Sequence, residues 1–253
     1  MNFDCRGRLL ASRSIFLLGL LAWTMQMLAA DPIVFQSGPK NVQLLELFTS
    51  EGCSSCPPAE ASLSRLANHP RLWREFVPVA FHVDYWDRLG WKDPFASVES
   101  TKRQQTYAEH WKANSVYTPA FVLNGREWHD TSVPAANAKA AGVLKVTVRV
   151  DDADVTINFE PVDGAADQFD VYLARVGFGI KINVGAGENN GRSLRHDFVV
   201  LSLTHEKLNR ATAELHFAPG QQSVTRPART ALAAWVAKSG DITPLQATGG
   251  WLP

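Results

Sequence analysis

The hydrophobic pattern along this chain changes character near Gly142. Before that point, apolar runs of strand length alternate with stretches of helical spacing. Val42-Gln43-Leu44-Leu45-Glu46-Leu47-Phe48 reads as a strand. Ala59 to Asn68 carries Leu63 and Leu66 at helical spacing and stops near His69-Pro70. Phe76 to Val83 is a second β-rich run, broken only by Pro78. Asp93-Pro94 predicts the opening of a helix that runs to about Ala113. Ala120-Phe121-Val122-Leu123, then Asn124-Gly125, then Arg126-Glu127-Trp128 predicts a hairpin, because Asn-Gly suits the positive φ of a type I′ turn. An Ala-rich helix is expected over roughly Pro134 to Ala141.

Beyond Gly142 short alternating segments take over. Leu144–Val150, Val155–Phe159, Val171–Val176, Phe198–Leu203 and Ala213–Phe217 are strands by pattern, separated by Gly- and Asp-rich breaks. Leu232 to Thr248 is Ala-rich, which favours a helix. Ser239-Gly240 between its two apolar stretches favours a closing hairpin, and the hairpin is the expectation adopted. The pattern therefore predicts an α/β region over residues 31–142, followed by an all-β, sandwich-like region over 143–253.

The first thirty residues follow a different logic. Arg6, Arg8 and Arg13 precede an apolar run from Ile15 to Trp23, and small residues close the stretch at Leu28-Ala29-Ala30. A basic start, a short apolar middle and small residues before a polar chain make a secretory signal peptide. Gln26 leaves the run short of the ~20 residues a spanning helix needs. Residues 1–30 are thus expected to be removed, giving a periplasmic or secreted protein without stable membrane insertion. Cys5 leaves with them, and Cys53 and Cys56 are the only cysteines of the expected mature chain.

Charge excludes several functions. The chain holds 25 basic and 25 acidic residues, with no Lys/Arg block, so nucleic acid is not an expected partner. Neither a G-x-S-x-G elbow nor an H-E-x-x-H motif occurs, which removes the usual hydrolase signatures. The loop from Gly185 to His196 is rich in glycine but leads into a strand. A phosphate loop needs a strand-to-helix step, so a shaped loop is the reading here, with Asn189, Arg192 and His196 as residues that could face the cysteines.

Cys53-Ser54-Ser55-Cys56 falls between a buried strand and a helix that opens with Pro57-Pro58. Proline is tolerated in a first helical turn, and the partial positive charge there favours a thiolate. Cys53 is expected at the exposed helix end. Two intervening residues let one thiol attack a substrate disulfide and the other resolve the mixed disulfide. A static disulfide is the alternative, although so short a ring removes little chain entropy. Metal binding is another, with His82 and the following Asp84, Tyr85 and Trp86 near the cysteine rim. The aromatic residues Tyr85, Trp86, Trp91, Phe95, Tyr107 and Trp111 either pack the helical segment or form a lip for an apolar peptide.

A strand, a C-x-x-C at a helix start, Thr118-Pro119 before a hairpin and a terminal helix resemble, in that order, the thioredoxin superfamily. More narrowly, Leu47 to Pro58, Val83-Asp84-Tyr85-Trp86-Asp87, Thr118-Pro119 and Gly187 to Arg192 resemble the exported bacterial family called domain of unknown function 1223. The resemblance implies a thioredoxin-like domain over 31–142 with a helical insertion near 84–114. It makes Cys53 the nucleophile and Cys56 the resolving thiol, and makes Pro119 a cis-proline facing them. The Thr118 backbone and Trp86 would contact an extended substrate. Protein or small-molecule thiols and disulfides are the implied partners, and no cofactor or metal site is assigned. Two departures stand out. Gly52 occupies the position of the thioredoxin tryptophan, and Leu47 that of its buried acid, with Glu46 expected on the opposite sheet face.

Overall fold

The computed structural model describes Met1 and residues 31–253, except 131, 137, 150–153, 163–167, 209–211 and 217–225. The expected signal peptide lies outside the described residues. All seven residues of β2 (Gln43–Thr49) and of β3 (Phe76–His82) are buried, as strands covered on both faces must be. They pair in parallel, Leu47 opposite Ala80 and Thr49 opposite His82. Pro78 does not break β3. The Ala80 N–H donates to the Phe198 carbonyl, away from β2, and alternate residues point the same way. The donor Pro78 lacks therefore belongs to the edge away from β2, where the register of β11 pairs Val199 with Ala80 and not with Pro78.

Helix α1 (Cys56–Ser64) carries Pro57 and Pro58 in its first turn and buries Cys56, Glu60 and Leu63, one face at helical spacing. A 3-10 turn continues it over Arg65–Asn68. Helix α2 (Val98–Trp111) starts later than the sequence suggested. Ser97 caps it, accepting from the Ser100 N–H at 3.0 Å. Asp93 is unavailable as a cap because it is buried against His82. Strands β4 (Ala120–Leu123) and β5 (Arg126–Trp128) form the expected hairpin, with Asn124 at φ 47° and Gly125 at φ 76°.

The Ala-rich helix expected over 134–141 is absent from the described residues there. Residues 138–140 lie beside residues 39–41 instead: the Asn41 N–H donates to the Ala138 carbonyl, the Ala140 N–H to that of Pro39, and Lys40 bridges Lys139. Pairing overrides the modest helix preference of alanine. The terminal helix implied by the thioredoxin resemblance is thus replaced by strand-like packing.

Eight strands form one sheet in the order β14 (Gln246–Trp251), β13 (Arg229–Lys238), β8 (Phe169–Phe178), β11 (Val199–Lys207), β3, β2, β4 and β5. The texture change at Gly142 does not interrupt this sheet, because β11 joins β3 in parallel at Val199 and Ala80. Strands β13 and β14 form the hairpin expected from Ser239-Gly240, with Ala234 opposite Thr248 and Gly240 at φ 83°. A second sheet takes the order β1 (Ile33–Gln36), β6 (Gly142–Arg149), β7 (Asp154–Pro161), β12 (Thr212–His216). Alternate residues Leu144, Val146 and Val148 of β6 pack with Val171 and Leu173 of β8 and Leu232 and Val236 of β13. This stacking makes the C-terminal half sandwich-like. A small hairpin, β9 (Ile180–Asn183) and β10 (Ser193–His196), presents the glycine-rich loop between its strands. Among the described residues no helix is long and apolar enough to cross a membrane.

Candidate functional site

Strand β2 ends at Thr49, and the chain turns twice before α1. The Cys53 N–H donates to Ser50 and the Cys56 N–H to Cys53, both at 3.2 Å. Ser55 is the N-cap, so Cys56 is the first helical residue and Cys53 lies in the preceding turn. The two cysteines are joined in a disulfide, their Cα atoms 5.5 Å apart. Both are 0% exposed, while Ser54 and Ser55 between them face solvent. The expectation of an exposed Cys53 at the helix end is therefore corrected.

The glycine-rich loop packs against this turn. Asn189 Nδ2 donates to the carbonyls of Glu51 at 2.8 Å and Cys53 at 2.9 Å. Arg192 Nη1 donates to Asn189 Oδ1 at 2.6 Å and so orients it. Glu188 accepts from the Ser54 N–H at 2.9 Å and its hydroxyl at 2.7 Å, donations that hold its carboxyl below the usual range. Of the three loop residues singled out in the sequence, Asn189 touches the C-x-x-C turn, Arg192 acts through Asn189, and His196 lies beneath.

On the other side stands the Thr118-Pro119 bond, which is cis. The Thr118 carbonyl is 3.7 Å from Cys53 Sγ, and Ser55 Oγ is 3.4 Å from the same sulfur. Trp86 Nε1 donates to Thr118 Oγ1 at 2.8 Å, and Gln104 Nε2 to the Tyr117 carbonyl at 2.6 Å. Cys53, Cys56, Trp86, Thr118 and Pro119 thus come together. A Cβ at Gly52 would stand 2.9 Å from Trp86 Cβ, so a tryptophan there has no room. The aromatic residues divide by role. Tyr107 and Trp111 stack at 5.3 Å in the core and Phe95 packs with Ile180 and Val199, whereas Trp86 and Trp91 border the site.

Under the disulfide lies a buried polar cluster, in which the sequence singled out His82 and His196 but not the carboxylates that meet them. Glu60 Oε1 accepts from Thr49 Oγ1 and its Oε2 meets His196 Nδ1, both at 2.5 Å. His82 Nδ1 is 2.7 Å from Asp93 Oδ2, an oxygen that also accepts from the Glu51 N–H at 2.9 Å. Trp91 Nε1 donates to Glu51 Oε2 at 2.6 Å. Burial alone would lower the His196 pKa, but Glu51 and Glu60 outweigh it and raise it to about 10. His82 is likewise raised by Asp93 against burial. Burial would raise Glu60, yet His196 brings it below the usual range. The one local signal for Glu60 was its position four residues after Cys56, on the same helix face.

The model of the family described as "Protein of unknown function (DUF1223)" matches residues 44–237, more than half of the chain. The chain belongs to the DUF1223 family. No curated protein matches it. Among solved structures, it resembles a protein of Agrobacterium tumefaciens at 23% identity and a TM-score of 0.58, covering 85% of this chain and 96% of the other. It also resembles HBP35 of Porphyromonas gingivalis at 13% identity and a TM-score of 0.57, covering 85% of this chain and 76% of the other. At these identities the likeness is one of fold.

The opposite face of β2 in this DUF1223 protein holds a second buried charge cluster. Glu46, pointing away from α1 as expected, receives Arg103 Nε and the Tyr107 hydroxyl, each at 2.5 Å. The Arg103 guanidinium also lies over Phe81, Tyr107, Tyr172 and Trp235 at 5.1–5.5 Å. Glu46 thus fixes α2 to the sheet and takes no part near the cysteines. The DUF1223 site itself combines a buried disulfide, the Thr118 carbonyl that precedes the cis-proline beside it and a charged cluster below, an arrangement suited to thiol–disulfide chemistry.

Proposed function

We propose that this DUF1223 protein is an exported thiol–disulfide oxidoreductase working through Cys53 and Cys56. The observation that carries the reading is the Cys53–Cys56 disulfide at the head of α1, its Cys53 sulfur 3.7 Å from the Thr118 carbonyl. A substrate thiolate attacks Cys53 Sγ, forms a mixed disulfide and expels the Cys56 thiolate. A second substrate thiol then attacks the substrate sulfur of that bond and expels Cys53. Two electrons pass from substrate to protein, the substrate leaves as a disulfide, and a partner disulfide reoxidises the pair. The Ser55 hydroxyl donates to the Cys53 thiolate, and Trp86 and Thr118 border the path of an extended substrate.

The test is oxidative refolding of a reduced, denatured model protein in a glutathione buffer. Catalysed refolding by the mature protein, abolished in Cys53→Ser and retained in Ser54→Ala, is the expected result. A second reading, a binding or scaffold protein with a static disulfide, draws on the complete burial of both cysteines. It predicts no acceleration at any redox poise.

A further inference from the structure

Glu60 on α1, His82 at the end of β3 and His196 at the end of β10 each bring a donor atom to one buried point. The three atoms lie within 4.8 Å of one another. Glu60 is 6% exposed and each histidine 1%. Both imidazoles are backed by a further carboxylate. His82 turns Nδ1 to Asp93, and its Nε2 has no hydrogen-bond partner among the described residues. His196 turns Nδ1 to Glu60, while its Nε2 stands 3.1 Å from Glu51 Oε1. Those last two atoms form an ion pair, and neither has a hydrogen-bond partner among the described residues. Leaving such groups unsatisfied costs roughly 1–3 kcal/mol apiece, and native proteins retain few of them without a reason.

Charge points the same way. Glu51, Glu60 and Asp93 surround two imidazoles with three buried carboxylates. A dication held by neutral imidazoles supplies the same countercharge as two extra protons. Carboxylates behind imidazoles are also how metal-binding histidines are oriented and made more basic.

We propose that Glu60, His82 and His196 bind a divalent transition-metal ion, zinc being the fit for two imidazoles and a carboxylate in a buried site whose fourth position is taken by water. Asp93 and Glu51 act as positioning residues for the two rings. Zinc holds nitrogen and oxygen ligands at about 2.0–2.2 Å, which places neighbouring ligand atoms about 3.3 Å apart in a tetrahedron. Small side-chain shifts close the 4.8 Å spread to that value, and the ion replaces the proton between Glu60 and His196. Its ligands come from both halves of the sequence, so it ties the β9–β10 hairpin, and the loop over the disulfide, to α1 and β3. No cysteine is a ligand, so the inference stands apart from the thiol–disulfide reading.

The test is to refold the mature protein with and without Zn(II), remove loose metal on a chelating resin, and measure bound zinc and melting temperature. Expected are about one zinc per chain and a melting temperature raised by several degrees, a gain that a strong chelator removes. The Cys53→Ser, Cys56→Ser double variant should hold the same zinc. Glu60→Gln should weaken binding at least about tenfold. Cobalt in the same site should give visible ligand-field bands without a thiolate charge-transfer band. Zinc below about a tenth per chain with unchanged melting, or zinc lost in the double cysteine variant, overturns the proposal. Should Glu60→Gln not fold, the wild-type stoichiometry and the double cysteine variant still decide the matter.

Discussion

Two buried charge clusters occupy opposite faces of the same strand, and they are built differently. On the α2 face, Glu46 has both oxygens bonded, and Arg103 spreads its charge over four aromatic rings. On the α1 face, Glu51, His82 and His196 each keep a buried polar atom without a hydrogen bond. Satisfied charge is a device for holding a helix to a sheet. Unsatisfied charge under a disulfide marks the place where something binds or where protons and electrons move. Burial alone does not separate the two clusters, since nearly all their members are buried.

Removing one partner is the strongest way to break that contrast. Glu46→Ala leaves Arg103 buried and unpaired and should cost about 3–5 kcal/mol in urea unfolding. Glu51→Gln keeps an acceptor for Trp91 and should cost roughly 1–3 kcal/mol. Equal losses would erase the distinction. Asn189→Ala withdraws two donations from the carbonyls of Glu51 and Cys53, again worth roughly 1–3 kcal/mol. It should also speed reduction of the disulfide by a phosphine, and an unchanged rate would show that the loop does not guard it. Gly52→Ala forces a Cβ to 2.9 Å from Trp86 Cβ, at about 1–3 kcal/mol by the measure of overpacked cores.

The smallest effect concerns pH. Glu188 has its carboxyl held below the usual range by Ser54, so its tether is complete above that range and is lost as pH falls through the lowered value. Phosphine reduction of the wild type should therefore gain on that of Glu188→Gln as pH drops below the carboxylate range. A constant ratio between them would remove Glu188 from the tether.

Much of the cysteine rim was legible in the sequence because its signals are local. Cys53 and Cys56 share one turn, Thr118-Pro119 is a dipeptide, and Asn124-Gly125 specifies its own backbone. In the layer beneath, His82 and His196 were singled out but their pairing was not legible. His82 meets Asp93, 11 residues away, and His196 meets Glu60, 136 residues away, and no spacing rule connects them. The segment 134–141 failed for a related reason: its alanines favour a helix weakly, and pairing with residues 39–41 outweighs that preference. The alternation beyond Gly142 predicted the long strands but not the short β9–β10 hairpin, whose second strand lies in the stretch read as a loop. It carried no information on which of them would extend the sheet of β2 and β3, because that depends on a single meeting of Val199 with Ala80.

The central claim is that the Cys53–Cys56 bond turns over. Its reduction potential in the mature protein, from glutathione titration with acid-quenched alkylation, tests this most directly. A bond that turns over should give a value between about −120 and −270 mV, the span of working thiol oxidoreductases. A value below roughly −300 mV, characteristic of structural disulfides, would contradict it.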